Sequence, residues 1–151
     1  MKVYEVLDKV ESLVSVRVDR DDLLKAFNIT ETDLATNYFY LVDEYNAENQ
    51  YRVAFTEFPK RVHKILHTDK PFKYFEDGIV SKHVIGKITY AYLPENKKRS
   101  DTCDYGRKFM DILVNSCICE VFLLMGFYDE ACFYKNKYER LIKEVLDGKG
   151  D

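Results

Sequence analysis

Apolar positions in this chain recur at spacings of three and four near both ends and at a spacing of two in the middle. Val6, Leu7, Val10, Leu13 and Val14 predict a short helix within residues 3–18, ending near Ser15. Arg17 to Asp22 is charged and predicts a loop in which Asp19 or Asp21 caps the next helix. That helix carries Leu23, Phe27, Thr30, Leu34, Tyr38 and Leu41 on one stripe, with Leu24 and Ala35 beside them. The weak helix formers Asn28-Ile29-Thr30 mark where it would break in two. Asp43 to Gln50 is polar and predicts an exit loop. The period then changes. Tyr51, Val53 and Phe55 alternate with Arg52 and Ala54, and Pro59 interrupts. Further on, Val62 and Leu66 face one way and His63 and Ile65 the other. Thr68-Asp69-Lys70-Pro71 signals a turn. Asp77-Gly78 predicts a hairpin between Phe72–Phe75 and Ile79–Val84. Ile88, Tyr90 and Tyr92 alternate with Lys87, Thr89 and Ala91 until Pro94 ends the strand.

The last third returns to helical spacing. Ser100 to Asp104 offers side chains that accept the free N–H groups of a first helical turn. Phe109, Ile112, Leu113 and Cys117 then lead into Ile118 to Met125, apolar on nearly every side, which places this helix in the middle of the fold. Gly126 stands where a positive φ ends a helix, and Asp129 is the expected cap of the next one. Ala131, Tyr134, Tyr138, Leu141, Ile142 and Val145 form the stripe of that helix. Lys135, Lys137, Glu139, Arg140, Lys143 and Glu144 form its opposite face, with Glu139 and Lys143 in the favourable i,i+4 order. So short a connection makes the two helices antiparallel neighbours.

The expected fold class is therefore α+β in a single domain, residues 1–151. Residues 1–48 are helical, 51–94 form a small inserted antiparallel sheet, and 101–147 form the C-terminal antiparallel helix pair. A length of 151 residues is enough to bury a core. The net charge of −3 leaves no basic footprint for nucleic acid. No run of 18 apolar residues suggests a membrane span. Met1-Lys2-Val3-Tyr4 lacks the apolar stretch of a signal peptide, so export by that route is not expected. The four cysteines are expected as reduced thiols, three of them on helical faces.

Candidate chemistry is sparse. His63 and His67 are four apart, a spacing that groups ligands on a helix but not on a strand, and surface histidines are the expectation. Cys117 and Cys119 would point about 200° apart on a helix and cannot grip one metal ion. No glycine-rich phosphate loop is present. Glu120 interrupts an apolar run. It reads as a structural carboxylate bonded to a Tyr, Lys or Arg, with a general base as the rival reading. No cofactor or metal and no catalytic residue is expected. The 12 Tyr and 10 Phe, against no Trp, suit surfaces that become buried on a partner.

A set of motifs then carries a resemblance. Gly86-Lys87-Ile88-Thr89-Tyr90-Ala91-Tyr92-Leu93-Pro94 is followed by Ser100-Asp101-Thr102-Cys103-Asp104-Tyr105 and Ile118-Cys119-Glu120-Val121-Phe122-Leu123. Gly126-Phe127-Tyr128-Asp129-Glu130-Ala131 and Lys137-Tyr138 come next. Upstream, Leu23 to Asn28, Asp33 to Tyr38 and Phe55-Thr56-Glu57-Phe58 join the pattern. In this order they resemble the tailed-phage head–tail connectors, or tail-tube adaptors, a gatekeeper-like family. The chain departs from that pattern at Cys119, at Val121-Phe122 and at Phe133-Tyr134, swaps that are conservative for packing.

The resemblance implies a virion structural protein, assembled in the bacterial cytoplasm, that joins the portal vertex to the tail as a ring, commonly a dodecamer. Its partners would be portal and tail proteins. DNA would pass through the lumen without specific binding, and no membrane would be involved. A ring needs two different patches per subunit. Tyr38, Tyr40, Tyr74, Tyr90, Tyr92, Glu120, Tyr134 and Tyr138 are the candidate interface residues, with Tyr51 beside them. A second reading is a cytoplasmic interaction module without ring assembly. A third is an enzyme using Glu120 or Cys103 with a histidine partner.

Overall fold

A computed structural model describes residues 1–148. Four helices and six short strands follow the expected α+β order. They are α1 (Val3–Leu13), α2 (Arg20–Asn37), β1 (Leu41–Asn46), β2 (Arg52–Ala54), β3 (Val62–Thr68), β4 (Lys73–Phe75), β5 (Gly78–Val80), β6 (Lys87–Tyr92), α3 (Met110–Leu124) and α4 (Tyr128–Leu146). Contacts divide the described residues into a helical unit, 1–33 with 96–148, and a sheet unit, Leu34–Glu95.

In the helical unit, α3 is the centre. Its residues from Ile112 to Cys119 are all buried, and both α1 and α4 pack on it. A helix that is apolar all round can hide its surface only in this way. Gly126 has φ +78 and ends α3 as its sequence position implies. The stripe of α4 is as spaced, with Ala131 and Ile142 buried and Tyr134, Tyr138, Leu141 and Val145 partly covered.

Two expectations fail here. Residues 100–104 do not start α3, which begins at Met110 after a 3₁₀ turn at Arg107–Phe109. Their backbone serves α1 instead: the Val3 and Tyr4 N–H groups donate to the carbonyls of Asp101 and Arg99, each at 3.0 Å, and Lys2 bridges Thr102. Free N–H groups at a helix start take whichever acceptor the fold supplies. Asp129 lies inside the first turn of α4 rather than capping it; Phe127 holds the cap position and makes no side-chain cap bond.

Asp19 does cap α2, accepting from the Asp21 N–H at 2.8 Å. The helix continues through Asn28-Ile29-Thr30 without a break. Asn28 is held there by two bonds to the Lys97 backbone, donating to its carbonyl and accepting from its N–H at 2.8 Å. Tertiary contacts thus override weak propensity.

The sheet unit holds two three-stranded antiparallel sheets where one was expected, ordered β1-β6-β3 and β2-β5-β4. β1 corrects the assignment of residues 1–48 as helical: α2 stops at Asn37, and the polar segment 41–46 is an edge strand paired with β6. Leu41, Asp43 and Tyr45 turn inward while Val42, Glu44 and Asn46 are exposed. β3 carries two register shifts, with His63 and Leu66 as the extra residues. The shifts place Val62 opposite Tyr92 and Ile65 opposite Tyr90, so Val62 and Ile65 share a face, contrary to simple alternation. The hairpin forms one residue early, around Glu76-Asp77, with Phe75 paired to Gly78. A run of aromatic rings joins the two sheets. Phe72 meets Tyr74 at 5.2 Å, Tyr74 meets Phe55 at 6.5 Å, and Phe55 meets Phe58 at 6.3 Å. Phe58 lies 5.0 Å from Tyr45 and 4.9 Å from Tyr90.

Candidate functional site

The eight expected interface residues separate by burial. Tyr90 and Tyr92 are core, with 0% and 7% of their surface exposed. β6 is the central strand of its sheet, so its alternating tyrosines point into the packed side, and neither is available to a partner. The Tyr90 hydroxyl donates to Asp43 and accepts from the Lys60 N–H, each at 3.3 Å. Burial holds this phenol above its ordinary range. Lys60 lies over the Tyr92 ring, 4.2 Å from its centre.

Tyr74 is well exposed and belongs to the aromatic run. Tyr40 is exposed beside the His63 ring at 5.9 Å. Tyr51 is exposed at the mouth of β2. Tyr38, Tyr134 and Tyr138 are partly covered, with Tyr134 stacked on Phe122 at 5.8 Å. Glu120 is partly covered as well. Burial, then the negative charge of Asp33, pushes its carboxyl upward.

The chemistry that sequence reasoning missed is a buried ion cluster in the helical unit. Lys97 Nζ contacts Glu31 Oε1 and lies 2.6 Å from Asp104 Oδ2. Glu31 Oε2 also accepts from the Asp104 N–H at 3.0 Å. Glu31 is completely buried and Lys97 nearly so. Burial pushes the Glu31 carboxyl up, against the hydrogen bond and charge of Lys97. Burial works against the Lys97 ammonium, but the bonds to Asp104 and Glu31 outweigh it and its net shift is upward. The cluster pins the segment after Asn96 to α2, and a buried ammonium between two carboxylates satisfies the requirement that interior charges be paired. One signal was present in the sequence: Glu31 lies four residues after Phe27 and three before Leu34, on the apolar stripe itself.

Three of the four thiols are poorly disposed for nucleophilic chemistry. Burial pushes Cys103 and Cys119 to about 11 and Cys117 to about 12, where no thiolate forms near neutral pH. Cys132 is exposed, and all four cysteines are free. His67 pairs with Asp69 at 3.6 Å on the surface. Among the described residues no three His, Cys, Asp or Glu side chains gather into a metal site, and no helix is long and apolar enough to cross a membrane.

What remains is exposed apolar surface. In the helical unit its largest group is at the α3–α4 turn, where Leu123, Leu124, Met125, Phe127 and Tyr128 are all exposed, and it continues to Phe133; Tyr4, Leu13, Ile29 and Leu146 are exposed as well. In the sheet unit it comprises Tyr51, Leu66, Tyr74, Val80 and Val84, with Tyr40 and Val42 exposed on and beside β1. Clusters of large apolar side chains in water mark surfaces that meet another molecule. No protein-family model matches the chain, and no curated protein matches it.

Proposed function

We propose that this protein is a structural virion component that joins the portal vertex of a tailed-phage head to the tail as an oligomeric ring, working by shape and buried apolar area rather than by reaction chemistry. The motif order from Leu23 to Tyr138 supports the reading. The observation that carries it is the presence of exposed apolar surface in each unit, at the α3–α4 turn of the helical unit and on the tyrosine-bearing surface of the sheet unit. A cyclic ring uses two unlike surfaces on each subunit, and aromatic residues with Met are enriched in interface cores. Portal and tail proteins are the partners, the virion is the location, and the genome passes the ring without a specific contact.

Light scattering on a size-exclusion column, with the protein alone and then mixed with the cognate portal, tests this. The expected result is co-elution at a fixed ring stoichiometry, whatever the state of the free protein. A protein that elutes unchanged in the presence of portal overturns the connector reading in favour of a monomeric interaction module.

A further inference from the structure

The α3–α4 turn is an exposed apolar knob with two acids, Asp129 and Glu130, at its edge. Gly126 closes the turn, with nothing within 4 Å of the place a Cβ would occupy. Tyr128 is 70% exposed and is the most open of the large apolar residues here. Phe127 touches Phe122 at 6.2 Å, Phe122 stacks on Tyr134, and Tyr134 meets Phe133 at 5.2 Å, so the apolar surface runs on along α4. The first turn of α4 adds Asp129 and Glu130, both exposed.

The sheet unit holds the converse. A groove of about 470 Å³ lies along β4 and β5. Pro71, Phe72 and Val80 give it an apolar floor, Lys73, Lys82 and His83 stand along it, and no carboxylate lines it. The Ser81 hydroxyl donates to the Pro71 carbonyl at 2.7 Å and accepts from the His83 N–H at 3.1 Å, which fixes one wall to the other. Knob and groove are complementary in apolar centre and in the sign of the bordering charge.

We propose that the α3–α4 knob of one copy seats in the β4–β5 groove of the next copy. The two surfaces differ, so the contact is heterologous and propagates head to tail, closing into a ring where the rotation per subunit allows. Apolar burial supplies the attraction, and the Asp129 and Glu130 border against Lys73 and Lys82 sets register and speeds encounter. The inference rests on the ring reading for closure and names the surfaces that make the ring.

The test places a photocrosslinker in the full-length protein by Tyr128→benzoylphenylalanine and irradiates it twice, at high concentration alone and bound to the portal. The expected products are crosslinks between copies that land within residues 71–83. Absence of such crosslinks in both states overturns the docking. Crosslinks into the groove without portal co-elution keep the docking and remove the connector reading. Portal co-elution with Tyr128 crosslinked to the portal does the reverse. A second measurement uses a knob variant (Phe127→Asp with Tyr128→Asp) and a groove variant (Lys73→Glu with Lys82→Glu), each checked by circular dichroism. Each retains one working surface, so each alone should associate with copies of itself about tenfold or more weakly than the unmodified chain. Their mixture should form a one-to-one dimer that grows no further. Either variant assembling alone like the unmodified protein overturns the proposal.

Discussion

Glu31 has no exposed surface and faces a single ammonium group, so the state of its charge depends on Lys97. Lys97→Met keeps a stem of similar shape and leaves Glu31 and Asp104 uncompensated. Breaking a buried pair in this way costs roughly 3–5 kcal/mol. The pH dependence has a definite sign. The Glu31 carboxyl is raised in the folded chain, so it favours folding below its ordinary range and loses that contribution as pH rises through the folded value. Without Lys97 it rises further, and acid relieves the variant by protonating it. The melting-temperature gap between the unmodified chain and Lys97→Met should therefore be wider at pH 8 than at pH 5. A gap that widens on acidification contradicts the cluster as described. The thiols give a second check at this scale. Ellman's reagent at pH 8 should titrate Cys132 quickly in the folded protein and Cys103, Cys117 and Cys119 only after denaturation, because those three are buried. Fast reaction at Cys103 would restore the nucleophile reading. Sequence position set Glu31 on the apolar stripe of α2 but revealed neither its partners nor the burial of Tyr90. The partners of Glu31 are 66 and 73 residues away, and a tyrosine in an alternating strand reads the same on a core face and on a docking face.

At the scale of elements, the strongly periodic segments were legible and the polar ones were not. α1, α3, α4 and β6 follow from spacing, since each buries a continuous stripe or face. β1 does not, because three of its six residues meet water and the inward Asp43 is masked by partners from distant segments, Tyr90 and Lys60. The facing of β3 was misjudged because a bulge leaves no local signature in residue type. Glycines separate the two kinds of constraint cleanly. A Cβ on Gly78 would meet the Val53 carbonyl oxygen at 2.0 Å and the Ala54 Cα at 2.8 Å, both backbone. Gly78→Ala must therefore separate β2 from β5, and it should abolish protection of that sheet from hydrogen exchange. Gly126 has open space and a positive φ, so Gly126→Ala meets only the left-handed penalty of about 1–2 kcal/mol. Urea melts should rank Gly78→Ala as the more damaging of the two. The reverse order would mean that the approach of β2 to β5 is looser than these distances.

At the scale of the whole molecule, the order of helices, sheets and helix pair was readable because the hydrophobic period changes from 3.6 to two and back. The division of contacts into two units was not, since the helical unit is assembled from both ends of the chain: α1 and α3 meet across about a hundred residues that carry no local trace of the pairing. That division has an energetic consequence. Phe58 is buried and links both sheets through Phe55, Tyr45 and Tyr90, while the centre of the helical unit is α3. Phe58→Ala removes a ring from a packed site at a cost of roughly 3–5 kcal/mol. Regions that hold their own core open in their own cooperative units. Hydrogen exchange read by mass spectrometry should therefore show protection falling along β1, β3 and β6 while Ile112 to Phe122 of α3 keeps most of its own. Equal loss in α3 would mean that the chain opens as one body. In that case a partner seated on either exposed surface would stiffen both units together; selective loss means that each surface can be ordered by its own contact.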